Sequence, residues 1–189
     1  EQSGCMPVPT DTPAYLRSIV TELAGEIGAR PYGDFARLDR AAERIESRFA
    51  ACRLSVSGQA FVYSGRTYRN LVAELTGTEE PQKVLVVGAH YDSCDNPGAD
   101  DNASGVAGVL ELARRLADKP AARTIKFLAF ANEEPPFFRK NDMGSFVYAT
   151  EAAKKKDDIK AAIVLEMIGY YSTEKFSQHY PPLIGPFYR

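Results

Sequence analysis

The sequence has few of the features that mark several common classes of protein. Its three cysteines, Cys5, Cys52 and Cys94, are too few and too widely spaced for a disulfide framework or a zinc finger. No apolar run approaches the roughly 20 residues of a membrane-spanning helix, and no signal-peptide apolar core is present. The formal net charge of −2 gives no general attraction to nucleic acid or anionic membranes. Nucleophile-elbow, dinucleotide-fingerprint and phosphate-loop motifs are absent, so serine hydrolases, dehydrogenases and NTPases are not supported.

The chain length and composition are those of an ordinary globular domain. Its 189 residues, 44% of them hydrophobic and 25% charged, suit one domain with a sizeable core, which we place at residues 14–189. Residues 1–13 hold three prolines and are predicted to be a disordered leader. S-G-C at 3–5 is similar to the end of a lipoprotein signal, but Gln2 stands where such a signal has an apolar residue. The compartment stays open, with export slightly favoured.

Hydrophobic periodicity predicts an α/β fold. Residues 14–28 and 35–50 each place apolar side chains on one helical face, the second after a possible cap at Asp34. Residues 54–75 alternate around S-G-R and predict a β-hairpin. From residue 84 onward, strand and helix patterns alternate, which favours βαβ crossovers. We therefore expect a mixed, largely parallel central sheet flanked by helices.

Three apolar runs end on residues that can bind a metal. The run VLVVGA precedes His90, IKFLAFA precedes Glu133 and Glu134, and AIVL precedes Glu166. Strands that are apolar throughout are usually buried on both faces, as in parallel sheets. Because ligands collect at the carboxyl ends of such strands, the sequence predicts a metal site at one edge of the sheet.

Two residues of the loop after His90 belong to this prediction. Asp92 can accept the second ring N–H of a metal-bound His90 and so fix its tautomer. Cys94 is either a thiolate ligand or, as we favour, a small loop residue.

The segment PGADDNASG predicts a tight approach followed by a helix that starts near Asn102 or Ala103. Asp101 then lies at the positive end of that helix, and its two oxygens can bridge two cations. It can also serve only as a helix cap. A rival calcium loop, which we disfavour because residues 106–111 have a helical pattern, would use five residues: Asp100, Asn102, Ser104, Gly105 and Glu111.

The remaining acidic residues have two interpretations each. Adjacent carboxylates at Glu133 and Glu134 are unfavourable without a cation or proton, so one can bind metal while the other acts as general base; otherwise both are exposed loop residues. Glu166 interrupts an apolar strand, and a buried carboxylate there needs a metal or a buried arginine as partner.

Together, the blocks VVGAHYDS, PGADDNASGVAGVLELAR, FLAFANEE, MGS and LEMIGYYS resemble the co-catalytic zinc exopeptidases of metallopeptidase family 28. This family includes leucyl aminopeptidases, glutamate carboxypeptidase II and glutaminyl cyclases, and the resemblance covers roughly residues 14–180. It implies a three-layer fold with two zinc ions. By the same resemblance, His90 and Asp101 hold the first zinc, Asp101 bridges to the second, Glu134 binds the second, Glu133 is the general base and Asp92 supports His90.

The sequence departs from the family pattern at two points. Glu166 stands where better-known members have Asp, and the last ligand of the family is a histidine well downstream of LEMIGYYS. His179 is the one histidine near that end, and its irregular setting favours an ordinary surface residue. The tail after residue 176 has three prolines and no period, so we expect a C-terminal part of the fold to be missing.

The resemblance implies a zinc-dependent aminopeptidase that hydrolyses N-terminal peptide bonds with a water activated by two metals. One alternative is a single-zinc acyltransferase of the glutaminyl cyclase type. A second is a non-catalytic, truncated metal-binding fragment, inactive without the last histidine and able to self-associate through an uncovered sheet edge. The expected partner is a peptide, with no nucleic acid and no membrane-spanning segment.

Overall fold

The first two helices are set by aspartate caps. The computed structural model of the chain describes residues 11–175 and 177. Helix α1 (Thr12–Val20) continues through a π-helical segment (Thr21–Ile27). It begins two residues before the expected domain boundary because the Asp11 carboxylate accepts the N–H of Ala14 and Pro13 suits the first turn. The rest of the expected leader, residues 1–10, lies outside the described residues. Helix α2 (Phe35–Ala51) is capped by Asp34, as predicted.

Five strands form one mixed sheet. They are β1 (Ser55–Tyr63), β2 (Arg66–Leu75), β3 (Glu80–His90), β4 (Arg123–Phe130) and β5 (Asp158–Val164). The order across the sheet is β1-β2-β4-β3-β5. The predicted hairpin β1–β2 is antiparallel and joins β4 antiparallel, whereas β3 pairs in parallel with both β4 and β5. This arrangement confirms the predicted mixed sheet with a parallel centre.

Helices cover the sheet on two sides, which gives three layers. Helix α3 (Gly105–Leu116) packs with α1 and α2 on one face, where Val87 and Phe127 enter the larger core cluster. Helix α4 (Gly144–Lys155) lies over the other face, where its Tyr148 contacts the smaller cluster that includes Leu128 and Phe130. Alternate side chains of β4 thus point to opposite layers, as the period of a strand requires.

Strand β5 corrects one expectation. AIVL was expected to lie in a strand buried on both faces, but Ile163 and Val164 are 57% and 60% exposed. The reason is topological: β5 is the edge strand next to β3, and in the described part of the chain nothing pairs with its outer side. Apolar composition therefore indicated a strand correctly but did not indicate its burial.

Among the described residues, no helix has the length and apolar character of a membrane span.

Candidate metal and catalytic site

The carboxyl ends of β3, β4 and β5 meet at one edge of the sheet. His90 is the last residue of β3, Glu133 follows β4 by three residues, and Glu166 follows β5 by two. Asp101 reaches the same place from the turn before α3. Gly98 opens this turn at a φ of 58°, and a Cβ there would lie 2.3 Å from the carbonyl oxygen of Asp101. The expected tight approach is confirmed, and it needs a glycine.

His90 is the centre of the site. Its ring is 2% exposed, and its Nε2 lies 3.1 Å from Oδ1 of Asp101, 3.4 Å from Oε1 of Glu166 and 3.7 Å from Oε2 of Glu133. Within the part of the chain that the structure describes, His90, Asp101 and Glu166 form the group whose ligand atoms all lie within 4.8 Å of one another. One nitrogen and several carboxylate oxygens in this arrangement suit a divalent cation.

Asp92 connects His90 to the loop that carries the two glutamates. Its carboxylate is buried and lies 3.3 Å from Nδ1 of His90, in an alignment outside hydrogen-bond geometry. Its Oδ1 accepts the backbone N–H of Glu133 at 3.1 Å, and its Oδ2 accepts that of Glu134 at 3.0 Å. The proximity of Asp92 to His90 agrees with the sequence analysis, whereas its supporting role stays a prediction. The hydrogen bonds from the glutamate backbone to Asp92 were not predicted.

Glu134 is not a member of the group of ligand atoms around His90. Its Oε2 accepts a hydrogen bond from Sγ of Cys94 at 3.1 Å. This bond, with burial next, raises the pKa of the Cys94 thiol to about 11. Cys94 is thus in contact with a predicted metal ligand. Because its pKa is raised, the thiol is protonated at neutral pH.

The electrostatics of the site favour protons on Glu133 and His90. Burial, followed by the negative charges around it, raises the pKa of Glu133 to about 7 against the opposing charge of His90. Burial lowers the pKa of His90, but the carboxylates of Asp92 and Glu166 outweigh it and raise this pKa to about 11. An excess of carboxylates therefore attracts positive charge to this edge of the sheet.

Glu166 is not buried, and no arginine of the described residues pairs with it. Its side chain is 46% exposed, and its Oε2 accepts a hydrogen bond from Nδ2 of Asn102 at 3.0 Å. The expected burial is wrong because β5 is the edge strand. The buried-arginine interpretation is also wrong, since the fully buried arginine, Arg30, donates to backbone carbonyls instead.

Arg30 is a residue of the site region whose role the sequence did not reveal. Its guanidinium donates to the carbonyl oxygens of Leu23, Gly28, Tyr91 and Pro97 at 2.6–2.8 Å. It thereby ties the end of the first helix to the loops that follow His90 and precede Asp101. The only available signal was the motif IGAR, in which an arginine follows the end of an apolar helix by three residues.

The calcium-loop interpretation is wrong. Glu111, its expected final ligand, lies within helix α3, where it pairs with Arg114 at 2.8 Å and accepts a hydrogen bond from Thr12. Asn102 instead caps this helix, since its Oδ1 accepts the N–H of Gly105 at 3.0 Å. The helix start predicted near Asn102 is confirmed. His179 lies outside the described residues.

Comparison with known proteins agrees with this geometry. The sequence model of peptidase family M28 matches residues 70–184, which is more than half of the chain. YfbL of Escherichia coli is 40% identical over 179 residues, which cover 90% of this chain and 54% of YfbL. A probable zinc metalloprotease of Pyricularia oryzae is 36% identical over 149 residues, which cover 65% of this chain and 30% of that protein. The chain thus spans about half the length, or less, of these relatives.

Solved structures share the fold. BSAP, a zinc aminopeptidase from Bacillus subtilis, superposes with a TM-score of 0.74 at 17% identity, over 86% of this chain and 70% of BSAP. A glutaminyl cyclase from Bacteroides thetaiotaomicron superposes with a TM-score of 0.67 at 21% identity, over 86% of this chain and 64% of the cyclase. At these identities the likeness concerns the fold alone. Together with the sequence match and the arrangement around His90, it leads to one conclusion: the chain belongs to peptidase family M28.

Proposed function

We propose that the protein carrying this chain is a zinc-dependent aminopeptidase that hydrolyses N-terminal peptide bonds. The observation that carries the proposal is the convergence of Asp101, Glu166 and Glu133 on Nε2 of His90. The choice of an aminopeptidase is supported by the membership of family M28 and by the fold shared with BSAP.

The residues present fit a zinc ion. Three carboxylates face one imidazole nitrogen, and within the described residues no lysine or arginine forms an ion pair with Asp101, Glu133 or Glu166. A mixed set of imidazole and carboxylate ligands suits zinc, for which three protein ligands with an open fourth position is the usual catalytic arrangement. We assign His90, Asp101 and Glu166 to this ion.

We further propose a second zinc, held by Asp101 and Glu134. Asp101 is 43% exposed and uses Oδ1 toward His90, so its other oxygen is available as a bridge. Glu134, whose carboxylate now accepts the hydrogen bond of the Cys94 thiol, would be the other ligand of this ion. The expected stoichiometry is two zinc ions in the full-length protein.

Glu133 is assigned the proton transfers. Bound zinc would supply Lewis-acid polarisation of the scissile carbonyl and would acidify water. The Glu133 carboxylate, 26% exposed and 3.7 Å from the His90 nitrogen, takes the proton of the attacking water and later delivers it to the leaving amine. Burial raises the pKa of this carboxyl to about 7 in the zinc-free protein, and a bound cation would lower it toward the ionised form that a general base requires. Asp92 contacts both the ring of His90 and the backbone of Glu133, so it keeps the two in a fixed relative position while the proton is transferred.

Two substitutions in the full-length protein test these roles. Glu133→Gln removes the base but keeps the shape, so turnover of an amino-acid anilide should fall by several orders of magnitude while the zinc content stays at the wild-type value. Glu134→Gln should lower the zinc content itself. An N-acetylated anilide, which lacks the free amine, is the matched control substrate and should not be cleaved.

The result also separates the peptidase from the cyclase alternative. About two zinc ions per chain together with anilide cleavage would support the peptidase. One zinc ion per chain together with cyclisation of an N-terminal glutamine peptide would support the cyclase instead. Full anilide turnover by Glu133→Gln would contradict the assignment of the base.

A further inference from the structure

The side-chain amide of Asn102 has four hydrogen-bond partners, and one of them is a proposed zinc ligand. Asn102 is fully buried. Its Nδ2 donates to the carbonyl oxygen of Leu165 at 2.9 Å and to Oε2 of Glu166 at 3.0 Å. Its Oδ1 accepts the backbone N–H of Gly105 at 3.0 Å and that of Met167 at 3.3 Å. Both donor hydrogens and both acceptor lone pairs are therefore used.

This arrangement leaves Glu166 one free oxygen. Oε2 is held by the amide of Asn102, and Oε1 is the atom that lies 3.4 Å from Nε2 of His90. A carboxylate that is tied in this way presents one oxygen, in a defined direction, to a cation beside His90. We propose that Asn102 is a positioning residue that selects Oε1 of Glu166 as the zinc ligand. This inference rests on the proposed zinc site.

The arrangement accounts for a glutamate at this position. Glu166 is half exposed and follows an edge strand, so burial does not restrict its rotamers. The longer side chain of a glutamate has one more freely rotating bond than that of an aspartate. The hydrogen bond from Asn102 restricts the rotamers of Glu166, which packing leaves free. Glu166→Asp shortens the side chain by a methylene, so we expect it to lose the contact with Asn102 and to bind zinc less tightly.

The contact with Glu166 is separable from the anchoring of the segment around it. Residues 165–169 are also attached to the start of α3 through Ser104, whose Oγ accepts the N–H of Ile168 at 3.0 Å, and through Asp100, whose Oδ1 accepts that of Gly169 at 2.7 Å. Ser104→Ala removes one of these anchors without touching Glu166. It is therefore the matched control for a purely structural effect.

The first test measures zinc affinity by competition with a chromogenic chelator, together with unfolding of the zinc-free protein. Asn102→Asp keeps the acceptor for Gly105 but turns a carboxylate oxygen toward Glu166. It should weaken zinc binding by about 10–100-fold, the range for loss of a group that orients a ligand. Ser104→Ala should lower the unfolding midpoint and leave the zinc affinity unchanged. Asn102→Ser, whose hydroxyl is too short to reach Glu166, should also weaken zinc binding.

The second test uses the zinc-free protein and needs no bound metal. In a double-mutant cycle, Glu166→Gln should restore much of the unfolding midpoint that Asn102→Asp loses, because the amide of the new glutamine donates to the new aspartate. Additive effects in this cycle would show that the contact does not exist and would overturn the inference.

The outcomes distinguish the inference from the proposed function. If the wild-type protein binds zinc but Asn102→Asp binds it as tightly as Ser104→Ala does, the positioning role is wrong and the zinc site stands. If the wild-type protein binds no zinc while the zinc-free cycle shows coupling, the zinc site and the role built on it both fall, and Asn102 is merely a structural partner of Glu166.

Discussion

The Asp92 carboxylate accepts the backbone N–H of Glu133 at 3.1 Å through the same oxygen that lies 3.3 Å from Nδ1 of His90. One buried side chain at the end of β3 thus contacts both the central imidazole and the backbone of the proposed general base. The orientation of the imidazole and the position of the base therefore depend on the same group.

Asp92→Asn should impair both zinc binding and turnover. The substitution removes the negative charge beside His90. It also turns an NH₂ group toward the backbone N–H of Glu133 or Glu134, so one of the two hydrogen bonds that the Asp92 carboxylate accepts is lost. We expect about a 10–100-fold loss of zinc affinity, measured by chelator competition, and a parallel loss of kcat in the full-length protein.

Asp95→Asn is the matched control for the Asp92 substitution, because Asp95 is an exposed carboxylate of the same loop. It should leave the affinity and kcat at wild-type values. Equal behaviour of the two variants would mean that Asp92 has no special part in the site.

Zinc uptake should release protons and tighten as the pH rises. The carboxylates of Asp92 and Glu166 raise the pKa of His90 to about 11, despite its burial, so the ring is protonated at neutral pH. Zinc needs the lone pair of Nε2 and must displace this proton. Zinc affinity should therefore increase between pH 6 and pH 8, values at which the ring stays protonated in the zinc-free protein.

Titration calorimetry measures this proton release directly. At pH 8, where Glu133 is largely ionised, the observed heat should differ between two buffers of different ionisation enthalpy by an amount that corresponds to about one proton from His90. The same heat in both buffers would mean that the imidazole is already neutral before zinc arrives.

Glu133→Gln should stabilise the zinc-free protein above neutral pH. The folded protein raises the pKa of Glu133 from 4.5 to about 7, chiefly through burial. Stability from this group is therefore fully present below pH 4.5 and is lost as the pH rises through 7. At pH 8 the substitution removes an unfavourable charge, and the free energy of unfolding should rise by about 1–3 kcal/mol.

Urea unfolding at pH 4.5 and pH 8 checks the Glu133 prediction, since the gain should vanish at the lower pH. Glu79→Gln, at an exposed carboxylate remote from the site, serves as the control and should show no such gain. A gain of the same size at both pH values would contradict the assigned cause.

Arg30→Met should destabilise the fold and weaken the site. The substitution removes the guanidinium donor from the carbonyl oxygens of Gly28, Tyr91 and Pro97, whereas that of Leu23 keeps the backbone N–H of Gly28. Buried acceptors without partners are unfavourable by about 1–3 kcal/mol each, so we expect a loss of at least 3 kcal/mol in the free energy of unfolding.

Arg37→Met, at a half-exposed arginine, is the control for Arg30. Its urea midpoint should stay close to that of the wild type. If Arg30→Met unfolds at the same urea concentration as this control, the carbonyl bonds of Arg30 contribute nothing to stability.

Local sequence patterns predicted most of the fold. The Asp34 cap, the hairpin around S-G-R and the alternating strands and helices all follow from neighbouring residues, and each is confirmed. The cap at Asp11 was not predicted. The meeting of His90 with Glu133 and Glu166 at one edge also followed, because parallel strands align their carboxyl ends. The metal and catalytic roles stay predictions.

Local sequence patterns did not predict the contacts between segments that are distant along the chain. Burial of β5 depends on its place at the sheet edge, which no property of AIVL reveals. The bonds from Arg30 to Pro97 and from Asn102 to Glu166 join residues more than 60 positions apart. The hydrogen bond from Cys94 to Glu134 likewise needed the folded loops to be seen.

The most direct test of the zinc site is the anomalous scattering of zinc in crystals of the protein grown with zinc. We predict a peak about 2.0–2.2 Å from Nε2 of His90 and from carboxylate oxygens of Asp101 and Glu166. A zinc peak that contacts none of these three residues, or no peak at all with saturating zinc, would contradict the account.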